Sequence, residues 1–203
     1  TLSSSSAASD VYKRQYHFSC VALSSAGRIV LGSYRQDSLQ GDAVLIDVYK
    51  KLGVDTRFEN NQMILEKINN FELPKTITLD LVEAPDIAQT IAVSCYGLGV
   101  ACDLSGLHTL KIKETDRLIA LENELSKLGA QIRVTEDSLH LSAAQDFKAN
   151  QTIATYSDHR MAMAFAPLAL KIGHQIAEAN VVTKSYPDFW NDLEAVGFEL
   201  IEK

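Results

Sequence analysis

The stretch TDRLIALENELSKLGAQIRVTEDSLHLSA, Thr115–Ala143, decides the fold. Leu118, Leu121, Leu125 and Leu128 recur on one helical face, and Gly129 follows, a residue that takes the left-handed conformation a helix end requires. Ala130–Val134 then reads as a strand, Glu136–Ser138 as a polar turn and Leu139–Ala143 as a second strand. The same order occurs upstream. Asp42–Leu52 carries Val44, Leu45, Val48 and Leu52 at helical spacing, KKLG (Lys50–Gly53) ends it, and Val54–Phe58 and Met63–Lys67 flank the polar Glu59–Gln62. Downstream, EAVG (Glu194–Gly197) closes a further helix, and Phe198–Ile201 reads as a strand whose partner comes from elsewhere.

A second set of helices precedes these, each running to a glycine: Tyr16–Gly27, Pro85–Gly99 and Ser157–Gly173. Their glycines recur at roughly 70-residue spacing, the mark of an internal repeat. Pro167 lies inside the last of them and should kink or break it. The expected fold is therefore α/β, a pseudo-threefold domain of three units, each helix, strand, helix and hairpin, with the third incomplete. A Rossmann sheet is disfavoured, since no GxGxxG follows any strand.

Composition narrows the function. The chain has 203 residues, 46% hydrophobic, and a formal net charge of -7, which argues against a general nucleic-acid binder. The longest apolar run, Met161–Leu170, is about half the ~20 residues a bilayer span needs, so no membrane partner is expected. Cys20, Cys95 and Cys102 are odd in number with no CxxC pair, which points to reduced, buried thiols in the cytoplasm and to no metal site. Residues 1–15 are Ser-rich and then basic, without the apolar stretch of a signal peptide, and read as a tail outside the fold; the chain begins with Thr1, as a fragment would.

Charge gathers where helices begin. Lys111, Lys113, Glu114, Asp116 and Arg117 crowd one start, Lys184 stands ahead of Pro187 at another, and Arg35 and Asp37 hold the corresponding place in unit one. Asp86 follows Pro85, and Ser157, Asp158, His159 and Arg160 precede an apolar run. Glu114 and Arg117 alone would be an ordinary surface pair, Asp86 and Ser157 simple caps, and His159 a hydrogen-bonded structural histidine. Cations at a helix start, however, oppose the macrodipole unless an anion compensates. Lys113, Arg117, Arg160 and Lys184 together thus describe an anion pocket inside an acidic protein.

The strings KIKETDRLIALENELSKLGA (Lys111–Ala130), YSDHRMAMAFAPLAL (Tyr156–Leu170), APDIAQTIA (Ala84–Ala92), TKSYPDFWNDL (Thr183–Leu193) and DSLQGD (Asp37–Asp42) resemble the 5-enolpyruvylshikimate-3-phosphate synthases, or 3-phosphoshikimate 1-carboxyvinyltransferases. The resemblance runs from about Tyr16 to the C-terminus. It implies that residues 16–203 are the second of two similar domains, each built of three βαβαββ-type units in the enolpyruvyl transferase fold, and that the first is missing. The implied activity transfers the carboxyvinyl group of phosphoenolpyruvate to the 5-hydroxyl of shikimate 3-phosphate and releases phosphate. Both substrates are multiply anionic, which suits the pocket above.

By motif match, Asp86 would accept the proton of the attacking hydroxyl, and Glu114 would protonate the phosphoenolpyruvate methylene. Lys113 would contact shikimate 3-phosphate; Arg117, Arg160 and Lys184 would hold the carboxylate and phosphate of phosphoenolpyruvate. Lys184 would share proton transfer, and His159 would order the set. Thr109 stands where the family often has Asn, a substrate contact. The resemblance implies no cofactor, no metal, and a monomer at full length. Two other readings remain beside it: the sister reaction on UDP-N-acetylglucosamine, and a non-catalytic anion-binding or decayed fragment.

Overall fold

The computed structural model describes residues 11–32, 39–144 and 146–202. Arg35 and Asp37 lie outside the described residues, as do residues 1–10 of the expected tail.

Unit one runs α1 (Val11–Leu23), β1 (Arg28–Leu31), α2 (Leu39–Lys50) and a hairpin of β2 (Val54–Glu59) and β3 (Gln62–Lys67). Asn60 and Asn61 turn the hairpin with φ of 50° and 58°, a left-handed backbone that Asn tolerates. Unit two runs β4 (Thr76–Asp80), α3 (Ala88–Leu98), β5 (Ala101–Ser105), α4 (Arg117–Lys127), β6 (Ile132–Val134) and β7 (Leu139–Leu141). Unit three shows β8 (Thr152–Ile153), α5 (His159–Phe165), β9 (Gln175–Ile176) and α6 (Phe189–Ala195).

Strand pairing reveals the repeat directly. The unit-two sheet has the order β4-β5-β7-β6, with β4 parallel to β5 and the other pairs antiparallel. The antiparallel order β1-β3-β2 of unit one reproduces β5-β7-β6, and the parallel pair β8-β9 of unit three reproduces β4-β5. Among the described residues unit two alone is a complete βαβαββ; unit one shows its later elements and unit three its earlier ones. The expected strand at Phe198–Ile201 does not form. No neighbouring strand lies beside it among the described residues, and a strand needs a partner for its N–H and C=O groups; Ile201 is 75% exposed.

The first helices of the three units, α1, α3 and α5, pack on one another. Every residue of α3 from Ala88 to Gly97 is buried, as expected of a helix that is apolar all round. Some polar atoms in this core are paired, the Ser19 and Ser94 hydroxyls 2.8 Å apart and the Tyr49 hydroxyl 2.9 Å from Ser94, while the Gln89 side-chain amide is buried with no hydrogen-bond partner among the described residues. The thiols of Cys20, Cys95 and Cys102 are buried and unpaired. On the outer helices Leu45, Val48 and Leu52 of unit one and the four leucines of unit two are buried, while Val44 turns outward.

Helix ends follow local chemistry. α3 stops at Gly99 (φ 70°), as expected. α1 stops at Leu23, before Gly27, where the Ser24 hydroxyl donates to the Val21 carbonyl. α5 ends at Phe165 and continues as a 3-10 turn, Ala166–Leu170, because Pro167 has no N–H to give. The boundary expected after residue 15 falls inside α1, where Arg14 and Gln15 are buried and the Thr90 hydroxyl donates to Gln15 Oε1 at 2.6 Å.

Candidate active site

A 3-10 turn, Pro85–Ile87, leads into α3 and carries Asp86, which caps nothing. A second 3-10 turn, His108–Ile112, packs against it, and the chain then reaches Lys113, Glu114 and the N-cap Asp116 before Arg117 opens α4. The third start is Asp158, the N-cap of α5, followed by His159 and Arg160. Ser157, expected as a cap, stands one residue too early.

These starts meet around Arg117, which is only 2% exposed. Its Nε donates to Asp158 Oδ2 at 2.6 Å, its Nη1 to Asp86 Oδ1 at 2.9 Å, and its Nη2 to Glu114 Oε2 at 2.7 Å. Asp158 is fully buried and also accepts the Arg160 backbone N–H at 2.8 Å. Asp86 is the bridge: besides Arg117 it faces Arg160 Nη2 at 3.3 Å and Lys113 Nζ at 3.5 Å. A guanidinium spread over three carboxylates in this way is fixed in plane and direction.

The anion pocket read from the sequence is thus matched internally. Arg117, Arg160 and Lys113 face Asp86, Glu114 and Asp158. The helix N-termini are likewise occupied, since Asp116 accepts from the Leu118 and Ile119 N–H groups and Asp158 accepts from Arg160. Lys184 differs: its Nζ donates to the Ser157 carbonyl at 3.2 Å and has no carboxylate partner among the described residues. It ends a 3-10 turn, Ala179–Lys184, and α6 begins only at Phe189, so Pro187 precedes the helix instead of opening it.

His159 Nδ1 is 3.8 Å from Glu114 Oε1 and has no hydrogen-bond partner among the described residues, so the structural bond expected of it is not made there. Burial, the largest influence on it, holds its pKa below the usual value and favours the neutral ring. Glu114, Asp158 and His159 place ligand-type atoms within 4.8 Å of one another. A metal ion there would have to displace Arg117 from both carboxylates, so the donor set does not fit one. Thr109 lies on the turn that packs against Pro85–Ile87, its hydroxyl buried and without a hydrogen-bond partner; it joins none of the charged groups.

Sequence reading did not single out two participants. Asp158 was read only as part of a polar helix start, yet it anchors Arg117 from the core. Tyr16 is buried beside Arg160, Asp158 and Arg117, and burial raises its phenol pKa despite the nearby arginines. In the sequence it marked only the start of the first helix.

The strained link before Asp158 also belongs to the site. Tyr156 and Ser157 both have positive φ, 54° and 55°, and the Asp158 N–H donates to the Thr155 carbonyl at 2.9 Å, closing a tight turn. Such backbone costs about 1–2 kcal/mol at each residue with a β-carbon.

A repeated α/β domain whose helix starts converge on one charge-matched cluster, open at Glu114 and Lys113, belongs to the enolpyruvyl transferase fold. Two solved structures share it: EPSP synthase from Acinetobacter baumannii, with TM-score 0.73 and 20% identity over 93% of this chain and 46% of that one, and the enolpyruvyl transferase NikO from Streptomyces tendae, with TM-score 0.68 and 14% identity over 94% and 43%. The family model for EPSP synthase (3-phosphoshikimate 1-carboxyvinyltransferase) matches residues 9–193, and the chain belongs to that family. Relatives named 3-phosphoshikimate 1-carboxyvinyltransferase include one from Bacteroides fragilis (strain YCH46), 41% identical over 94% of this chain and 47% of its own length. Another, from Clostridium novyi, is 37% identical over 79% and 36%. The chain spans about half the length of these curated relatives.

Proposed function

We propose that this chain, from α1 onward, forms the second domain of a cytoplasmic 3-phosphoshikimate 1-carboxyvinyltransferase, monomeric at full length, and supplies half of its active site. In this reading phosphoenolpyruvate gives its carboxyvinyl group to the 5-hydroxyl of shikimate 3-phosphate, and phosphate leaves. Asp86 takes the hydroxyl proton, Glu114 delivers one to the methylene carbon, and Lys113 meets shikimate 3-phosphate. Arg117, Arg160 and Lys184 hold the phosphoenolpyruvate anion as charge develops, Lys184 sharing proton transfer and His159 ordering the set. Thr109 completes the contact to shikimate 3-phosphate with its unpaired hydroxyl.

The observation that carries this is the bridge at Asp86, a carboxylate held among three cations and reached from the open side by its 22% exposure. A general base must reach the proton it takes, which that exposure allows. The same charge matching sets a limit. Lys184 is the one cation of the set without a carboxylate partner among the described residues, too little for two multiply anionic substrates. The 203-residue chain alone should therefore bind phosphoenolpyruvate weakly and turn nothing over. Calorimetric titration with phosphoenolpyruvate should show weak binding that falls about tenfold or more in Lys184→Ala and in Arg160→Ala. Unchanged binding in both variants would overturn the site, and robust phosphate release by this chain alone would overturn the half-site reading.

A further inference from the structure

Seven residues past Arg117 on α4, Glu124 is fully buried, and no step proposed above uses it. Its Oε1 accepts from the Tyr156 hydroxyl at 2.7 Å and its Oε2 from the Ala154 backbone N–H at 3.0 Å; Lys127 Nζ reaches both oxygens, at 2.8 and 2.6 Å. The Asn123 side-chain amide approaches the same Tyr156 hydroxyl at 3.4 Å.

What Glu124 grips is the strained turn. Ala154 and Tyr156 flank Thr155, and Tyr156 and Ser157 are consecutive non-glycine residues held at positive φ. The next residue, Asp158, orients Arg117, and the carbonyl between them, of Ser157, receives Lys184. Helix α4 therefore holds unit three at two points two turns apart, Arg117 on Asp158 and Glu124 on the turn. Strained backbone persists only where its surroundings over-determine it, and it collects at sites that need a fixed geometry.

We infer that Glu124, acting through Tyr156 and the Ala154 N–H, is a positioning residue that holds the Tyr156–Ser157 turn in its strained form and so fixes Asp158, Arg117 and Lys184 for anion binding. The part concerning anion binding rests on the function proposed above; the part concerning Arg117 does not. A fully buried carboxylate makes this arrangement sharp, because each of its oxygens is saturated and any rearrangement of the turn strands charge in the core.

The test uses two readouts on the 203-residue chain. The first is the NMR signal of the Arg117 Nε–H, set apart by its short bond to Asp158 and assigned by its disappearance in Arg117→Lys. The second is the affinity for phosphoenolpyruvate. Tyr156→Phe removes one hydroxyl at a half-exposed position and leaves the core intact, so it should fold; Glu124→Gln is the stronger perturbation. Both should shift or broaden the Arg117 signal, and the double variant should go no further than Glu124→Gln, as expected of residues acting in one chain of contacts. Ser157→Gly, placed in the Glu124→Gln background, should restore the signal, because glycine adopts positive φ without help. An Arg117 signal unchanged in folded Tyr156→Phe and Glu124→Gln would overturn the inference, as would failure of Ser157→Gly to restore it. If the wild type binds no phosphoenolpyruvate, the functional proposal fails while the Arg117 signal still decides this one. Where it does bind, both single variants should weaken it about tenfold.

Discussion

The Arg117–Asp158 pair at the helix starts and the apolar contact at the far ends of the central helices are both buried and built in opposite ways. At the starts, Arg117 and Asp158 are 2% and 0% exposed and bound by directed hydrogen bonds, with strained backbone leading into them. At the ends, Leu23, Leu168 and Gly97 meet through contact alone, the leucines 1% and 0% exposed. Hydrogen-bonded ions tolerate no missing partner, because a lone buried charge has lost water and gained nothing. Close-packed aliphatics tolerate no added atom, because nothing directional guides them into a new arrangement. Deletion should be the costly change at one end and addition at the other.

The largest expected effect is a deletion. Arg117→Ala leaves the buried Asp158 carboxyl without its guanidinium partner, and urea unfolding should show a loss of about 3–5 kcal/mol. Lys184→Ala, which removes only a bond to the Ser157 carbonyl, should leave the unfolding midpoint where it was. Equal behaviour of the two variants would erase the distinction between cations that are matched by carboxylates and the one that is not.

Acid should also act on the polar side of the molecule. His17 on α1 is 4% exposed, and burial pushes its pKa down to about 4, against opposing influences from Asp192 and a hydrogen bond to the Lys13 backbone. The unfolded chain takes up the proton near the ordinary value of 6.5, the folded chain only near 4. The stability held above pH 6.5 is therefore lost as pH falls from there toward 4, about 2 kcal/mol of it between pH 7 and 5. His17→Gln cannot be protonated and should lose that much less over the same interval; identical pH profiles would place the acid sensitivity elsewhere.

The two ends were unequally legible before the fold was seen. Leucine spacing on α4 and the glycines after α2 and α4 announced helices, hairpins and their repetition, because those signals depend on local geometry. The site residues Asp86, Lys113, Glu114, Arg117 and Arg160 could be named as charges at helix starts. Their mutual neutralisation could not, since it depends on how Asp86 of one helix start meets Arg160 of another, 74 residues on along the chain. The role of Asp158 was hidden for the same reason: a cap and an anchor look alike until the distant arginine is placed. Phe198–Ile201 shows the limit from the other side. Its composition suits a strand, but pairing, not composition, makes one.

Gly97 tests the apolar end with the smallest expected effect. A β-carbon there would lie 2.6 Å from Leu23 Cδ2 and 2.8 Å from Leu168 Cδ1, so α1, α3 and the 3-10 turn that follows α5 come together where this residue has no side chain. Gly97→Ala gains about 1 kcal/mol of helix propensity in α3. Against that stands overpacking of two buried leucines, about 1–3 kcal/mol when neighbours cannot move aside. The two effects oppose each other, and the leucines are packed on every side, so a net loss of about 1 kcal/mol is expected on urea unfolding, with the Arg117 Nε–H signal unmoved. A stabilised Gly97→Ala would mean that the leucine side chains rotate away freely, and the apolar end would then be the looser of the two. A shifted Arg117 signal would mean that strain travels the length of α3, and the two ends would have to be treated as one mechanical unit.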